Sequence, residues 1–195
     1  LCVNMTQYLH DSRLSLSKSF VCGEGSEMAV TAVKETNFIT TNPIDLIEQI
    51  AGAHGWSFER SADYEIAAEI SGRWTDYRLF FSWLDDISAM HFACAFELTV
   101  PDYRRSAFND LMARVNEQLA VGHFDLWADR GLPVFRHSML LRGVSGASVE
   151  QVEDMVEIAL VESERFYPAF NYVVWGGRTP EEAFDAAMID TMGEA

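Results

Sequence analysis

Tyr64-Glu65-Ile66-Ala67-Ala68-Glu69-Ile70 and, beyond Ser71-Gly72-Arg73, Tyr77-Arg78-Leu79-Phe80-Phe81-Ser82-Trp83 are the runs whose reading decides the fold. In the first, Tyr64, Ile66, Ala68 and Ile70 fall on one side of an extended chain, with Glu65 and Glu69 on the other. In the second, Tyr77, Leu79, Phe81 and Trp83 stand together opposite Asp76, Arg78 and Ser82. A period of two with one apolar side marks a half-buried strand, because successive side chains leave a strand on opposite faces. Similar short runs flank these, one from Trp56 to the turn Ser61-Ala62-Asp63 and one after the turn Leu84-Asp85-Asp86. Together they predict a four-stranded antiparallel meander with one face on a core.

Helical periods surround the meander. Asn42-Pro43-Ile44-Asp45 reads as a cap, a proline at the first helical position and an acid in the first turn, with Ile44, Leu46, Ile47, Ile50 and Ala51 on one face and Gly55 as the stop. A second helix is expected from about Pro101 to Val121, with Phe108, Leu111, Met112, Val115 and Leu119 at helical spacing and Gly122 ending it. A hairpin follows, His123 to Ala128 and Val134 to Arg142, joined by Asp129-Arg130-Gly131-Leu132-Pro133. In its second strand Phe135, Met139 and Leu141 alternate with Arg136, Ser138 and Arg142.

Ser148 and Gln151 have the spacing of a capping box, and Val149, Val152, Val156, Leu160, Phe166, Phe170 and Val173 hold rough helical phase behind it. The phase survives Pro168, which predicts one helix kinked at the proline and continuing towards Trp175. Thr179-Pro180-Glu181-Glu182 opens a last short helix. The order α-β-β-β-β-α-β-β-α-α is that of an α+β domain over 41–195, a mainly antiparallel sheet with helices packed on one face. Residues 1–40 show no sustained period and are expected to form an irregular tail, with Met5 and Met28 as alternative translation starts.

Thirty acidic side chains against fourteen basic ones give a formal charge of -16, which repels phosphate backbones and argues against direct nucleic-acid binding. The field is strongest after Ser148, where eleven carboxylates face only Arg165 and Arg178. Three cysteines, Cys2, Cys22 and Cys94, do not make a disulfide framework. With no apolar run of the roughly 18 residues needed to span a bilayer, the expected location is the cytoplasm and no membrane partner is expected.

Candidate chemistry is sparse. His91 and Cys94 are three apart on one strand and so face opposite sides, which makes Cys94 a buried structural thiol in preference to a nucleophile. His123, Asp125, Asp129 and His137 match no compact zinc spacing, and the glycines form neither a phosphate loop nor a dinucleotide fingerprint. No catalytic residue, metal or cofactor is expected. Trp127 alternates onto the strand face of His123 and Asp125, and Trp175 stands beside Gly176-Gly177. With Arg136 and His137 these make His123, Trp127, Arg136, His137 and Trp175 the candidate protein-binding or dimer surface, since Trp and Arg concentrate binding energy at interfaces.

Gly122-His123-Phe124-Asp125-Leu126-Trp127, Gly131-Leu132-Pro133-Val134-Phe135-Arg136-His137, Glu164-Arg165-Phe166-Tyr167-Pro168-Ala169-Phe170 and Trp175-Gly176-Gly177 together resemble the YbjN family of bacterial sensory-transduction regulators, over about Thr41 to Ala195. That family is similar in fold to type III secretion chaperones, which are small acidic α+β proteins that commonly form homodimers and hold an extended segment of another protein. The resemblance implies a non-enzymatic regulatory or chaperone-like protein-binding module, homodimeric and bound to another protein or an extended peptide. Two other readings stand beside it: a small-ligand sensor with a pocket between sheet and helices, and an enzyme using Cys94 with a histidine from elsewhere in the fold.

Overall fold

The computed structural model describes residues 41–192, so the expected tail and the alternative starts at Met5 and Met28 lie outside the described residues. Helix α1 (Ile44–His54) leads into strands β1 (Ser57–Ala62), β2 (Glu65–Ser71), β3 (Asp76–Leu84) and β4 (Ala89–Phe96). Helix α2 (Arg105–Asn116), the hairpin β5 (His123–Trp127) and β6 (Leu132–Leu140), and helices α3 (Val149–Val174) and α4 (Pro180–Met192) complete the described chain. The order is the expected one. All six strands pair antiparallel in one sheet, in the spatial order β1-β2-β3-β4-β6-β5.

The local signals act as their chemistry requires. Asn42 Oδ1 accepts the Ile44 N–H at 3.0 Å, and Gly55 closes α1 at φ 69°. Ser148 and Gln151 form the reciprocal capping box of α3. Ile66, Leu79, Phe81, Phe92, Cys94, Phe96, Phe124 and Phe135 form the core face of the sheet, against Ile44 and Ile47 of α1, Phe108 and Leu111 of α2, and Phe166 and Phe170 of α3. Phe124 meets Phe170 edge-on at 5.1 Å between centroids, and Phe96 stacks on Phe170 at 5.9 Å, so the hairpin and α3 share one aromatic cluster.

Several boundaries differ from the sequence expectation, and β6 opens at Leu132, two residues before the expected Val134. Helix α2 stops at Asn116 rather than near Val121, because the Asn116 amide turns to the β5 backbone: its Oδ1 accepts the Phe124 N–H at 2.7 Å and its Nδ2 donates to the Phe124 carbonyl at 3.0 Å. Gly122, at φ 70°, therefore turns the chain into β5 against the Phe135 ring, and does not end the helix. Strand β6 ends at Leu140 rather than Arg142; the Leu141 N–H still reaches the Ser88 carbonyl at 2.8 Å, its partner in the same register, and Ser88 itself turns left-handed at φ 50°.

Helix α3 does run through Pro168. A proline has no N–H for the carbonyl four residues back, here that of Glu164. The Trp74 indole N–H, from the β2–β3 turn, donates to that carbonyl at 3.2 Å. The Glu164 carboxylate bonds the same turn through the Arg73 N–H at 2.6 Å.

Candidate functional site

The sheet face opposite the helical core is laid out in rows by the strand register. One row crosses Glu65, Ser82, His91 and Ser138; the next crosses Ala67, Phe80, Ala93, Arg136 and His123. A third holds Glu69, Arg78, Ala95, Val134 and Asp125. His123, Trp127 and Arg136 thus share this face, as alternation predicts.

His123 is exposed, but Trp127 and Arg136 do not open a contact surface beside it. Trp127 is only 6% exposed and its ring lies 5.8 Å from that of Phe80, a second-layer packing pair. Arg136 is held by Asp125 at 2.7 Å, and Arg78 by Glu69 at 2.7 Å. His91, also buried, meets the Ser138 hydroxyl at 2.9 Å through Nδ1; burial, with the Arg136 charge adding to it, lowers its pKa to about 4. His137 pairs with Phe92 and belongs to the opposite face. It is half-buried, which lowers its pKa, with the neighbouring His123 contributing. Among the described residues no three His, Cys, Asp or Glu side chains gather as a metal site.

Cys94 is fully buried on the core face, away from His91. Burial pushes its thiol up to about 12, against a smaller opposing effect of the Ser163 hydroxyl. Such a thiol holds almost no thiolate at neutral pH, and the Cys94 enzyme reading has no activated nucleophile to rest on.

Trp175 is placed quite differently. It follows the last turn of α3, its N–H on the Asn171 carbonyl at 2.8 Å, and its side chain is 64% exposed. A Cβ on Gly176 would come within 2.9 Å of the Tyr172 carbonyl, and Gly177 sits at φ 66°, so the two glycines fold the chain back over Tyr172. That brings the Arg178 guanidinium over the Tyr172 ring at 4.8 Å, and the Arg178 N–H to the Tyr172 carbonyl at 3.2 Å. Arg104, just before α2, has a guanidinium nitrogen 3.7 Å from the Cβ position of Gly177 and lies 5.7 Å from the Tyr103 ring. Tyr103 is 77% exposed.

The segments Tyr103-Arg104 and Tyr172 to Arg178, which meet at Gly177, therefore make an aromatic–arginine corner in which Tyr103, Tyr172, Trp175 and Arg178 are exposed and Arg104 is half-buried. Sequence reasoning found only Trp175: Tyr103 and Arg104 reach the α3–α4 turn through tertiary packing of the segment before α2, and Arg178 meets Tyr172 once Gly176 and Gly177 fold that turn back. A cleft of about 600 Å³ lies nearby, lined by Asp110, Ala113, Arg114, Glu117, Thr179, Pro180 and Glu181. It lies between α2 and the start of α4. No described helix is long and apolar enough to cross a membrane.

A family model described as "YbjN: Putative bacterial sensory transduction regulator" matches residues 43–171. A crystal structure titled as that of YbjN, "a putative transcription regulator from E. coli", is similar at 15% sequence identity and a TM-score of 0.44, over 61% of this chain and 84% of the other. No curated protein matches the chain.

Proposed function

Since this chain belongs to the YbjN family, whose description is that of a regulator, we propose that it is a non-enzymatic regulator acting in the cytoplasm by binding another polypeptide through the aromatic–arginine corner. The observation that carries this reading is the exposure of Tyr103 and Trp175 on the two segments that meet where Arg104 packs at Gly177, with Arg178 over Tyr172. Tyr, Trp and Arg are the residues on which interface energy concentrates. Stacked guanidinium groups keep their donors available to carboxylates of a partner. The expected homodimer is a separate element of the proposal, motivated by the resemblance in fold to secretion chaperones.

The test is affinity purification of the tagged full chain from its native host, beside a Tyr103→Ala/Trp175→Ala variant. A near-stoichiometric partner kept by the parent and lost by the variant, at unchanged melting temperature, supports the corner. Equal recovery from both proteins would remove the corner from the reading, and absence of any partner would remove the binding role. Sedimentation of the purified chain decides the homodimer.

A further inference from the structure

The sheet has two edges, and the chain treats them differently. Trp83 N–H bonds the Tyr64 carbonyl, so even-numbered residues of β2 turn their peptide groups to β3 and odd-numbered ones turn theirs to β1. Ser57 and Glu59, opposite Glu69 and Ala67, are therefore bonded to β2, and Phe58 and Arg60 present their N–H and C=O outward. The same count along β5 turns Phe124 and Leu126 outward.

The β5 edge is largely occupied, three of its four outward groups being taken. Both outward groups of Phe124 are taken by the Asn116 amide, and the Leu126 N–H by Asp125 Oδ1 at 2.8 Å. At β1 no described residue takes the outward groups of Phe58 or Arg60. The Phe58 ring remains 39% exposed beside them. An open edge of this kind accepts a further strand through main-chain hydrogen bonds.

We propose that β1 takes up a cationic, extended segment of another polypeptide as a seventh strand, antiparallel to β1 and covering Phe58. Charge selects this occupant. Arg60 is already held by Asp45 at 2.8 Å and Glu48 at 2.7 Å. The same guanidinium also bonds the Asp63 carbonyl at 3.1 Å, while the carboxylates of Asp63 and Glu59 have no ion pair among the described residues, so one cation stands against four acids and the net charge at the edge is negative. A second copy would bring the same uncompensated acids to the seam, and like charges facing across strands destabilise pairing. An incoming strand with lysine or arginine on alternate positions and a β-branched residue opposite Phe58 meets both the acids and the exposed ring. This site is separate from the aromatic–arginine corner, and neither depends on the other.

The probe is a blocked heptapeptide alternating Lys and Val, titrated by fluorescence polarisation against the full chain, with its Glu/Val counterpart as control. The Lys/Val peptide is expected to bind, the Glu/Val peptide to bind at least about tenfold more weakly, and the amides of Phe58 and Arg60 to gain protection from hydrogen exchange. Phe58→Pro removes one outward N–H without touching the ladder to β2 and should weaken binding by about tenfold, the effect of one main-chain hydrogen bond. Phe58→Thr, which keeps the N–H, separates loss of the donor from loss of the ring and serves if the proline variant melts early. No binding, equal binding of both peptides, or protection elsewhere than β1 overturns the proposal. A dimer that Phe58→Pro dissociates would also overturn it, assigning the edge to a second copy.

Discussion

The Trp74 indole donates to the carbonyl of Glu164 at 3.2 Å, the acceptor that Pro168 leaves without its helical partner. A side chain from the β2–β3 turn thus completes the backbone of α3 at the point where the proline interrupts it. With the Glu164 carboxylate on the Arg73 N–H, the turn and the helix are clamped at both ends of one residue.

Trp74→Phe keeps an aromatic ring and removes the donor, and should cost about 1 kcal/mol in chemical denaturation, the net worth of one hydrogen bond. Pro168→Ala restores an N–H for the Glu164 carbonyl. A double-mutant cycle should therefore show Trp74→Phe costing less in the Pro168→Ala background; strictly additive effects would mean that the two groups do not share this acceptor.

Gly72→Ala should destabilise the protein by about 1–3 kcal/mol, as overpacking of a closed site does. A Cβ at Gly72 would run into the Tyr77 ring and the Glu164 carboxylate. The Tyr77 hydroxyl is buried beside that carboxylate without a well-formed hydrogen bond, and burial, then the carboxylate charge, pushes it up. Thermal unfolding of the alanine variant measures the effect, and an unchanged midpoint would show that the turn shifts freely.

Cys94 should resist thiol reagents in the folded protein and react on unfolding. Peptide mapping after a short alkylation at pH 8 isolates it from Cys2 and Cys22. Fast labelling of the Cys94 peptide under native conditions would restore the thiol-enzyme reading.

His91 makes stability depend on pH. Its folded-state pKa, about 4, lies below the unfolded value of 6.5, so the unfolded chain binds the proton more readily between those values. Its contribution, about 3 kcal/mol from this difference, is present above pH 6.5 and is lost as pH falls towards 4. Urea midpoints measured from pH 7 to 5 should fall for the parent and fall less steeply for His91→Gln. Parallel slopes would mean that His91 titrates normally and that the carboxylates account for the whole decline.

Much of the fold is written in local chemistry. The two-residue period of Tyr64–Ile70 and Tyr77–Trp83, the cap at Asn42 and the box of Ser148 and Gln151 each act within a few residues, and the element order follows from them. Alternation also placed His91 and Cys94 on opposite faces and Trp127 on the face of His123 and Asp125, and the β5–β6 register adds Arg136 to that face. It could not say that Trp127 is buried against Phe80, because burial depends on what lies across the sheet.

Tertiary structure alone decided the rest. The end of α2 at Asn116 is set by Phe124 on another element, and the persistence of α3 through Pro168 is supported by Trp74 from a distant turn. The proposed contact surface is partly of this kind: Tyr103 and Arg104 meet the glycine turn only when the segment before α2 packs beside it, whereas Arg178 reaches Tyr172 through the local Gly176-Gly177 turn. Sequence period reports which side a residue faces, since that is fixed by backbone geometry; which neighbours it meets there is fixed by pairings across long loops, which no local pattern encodes.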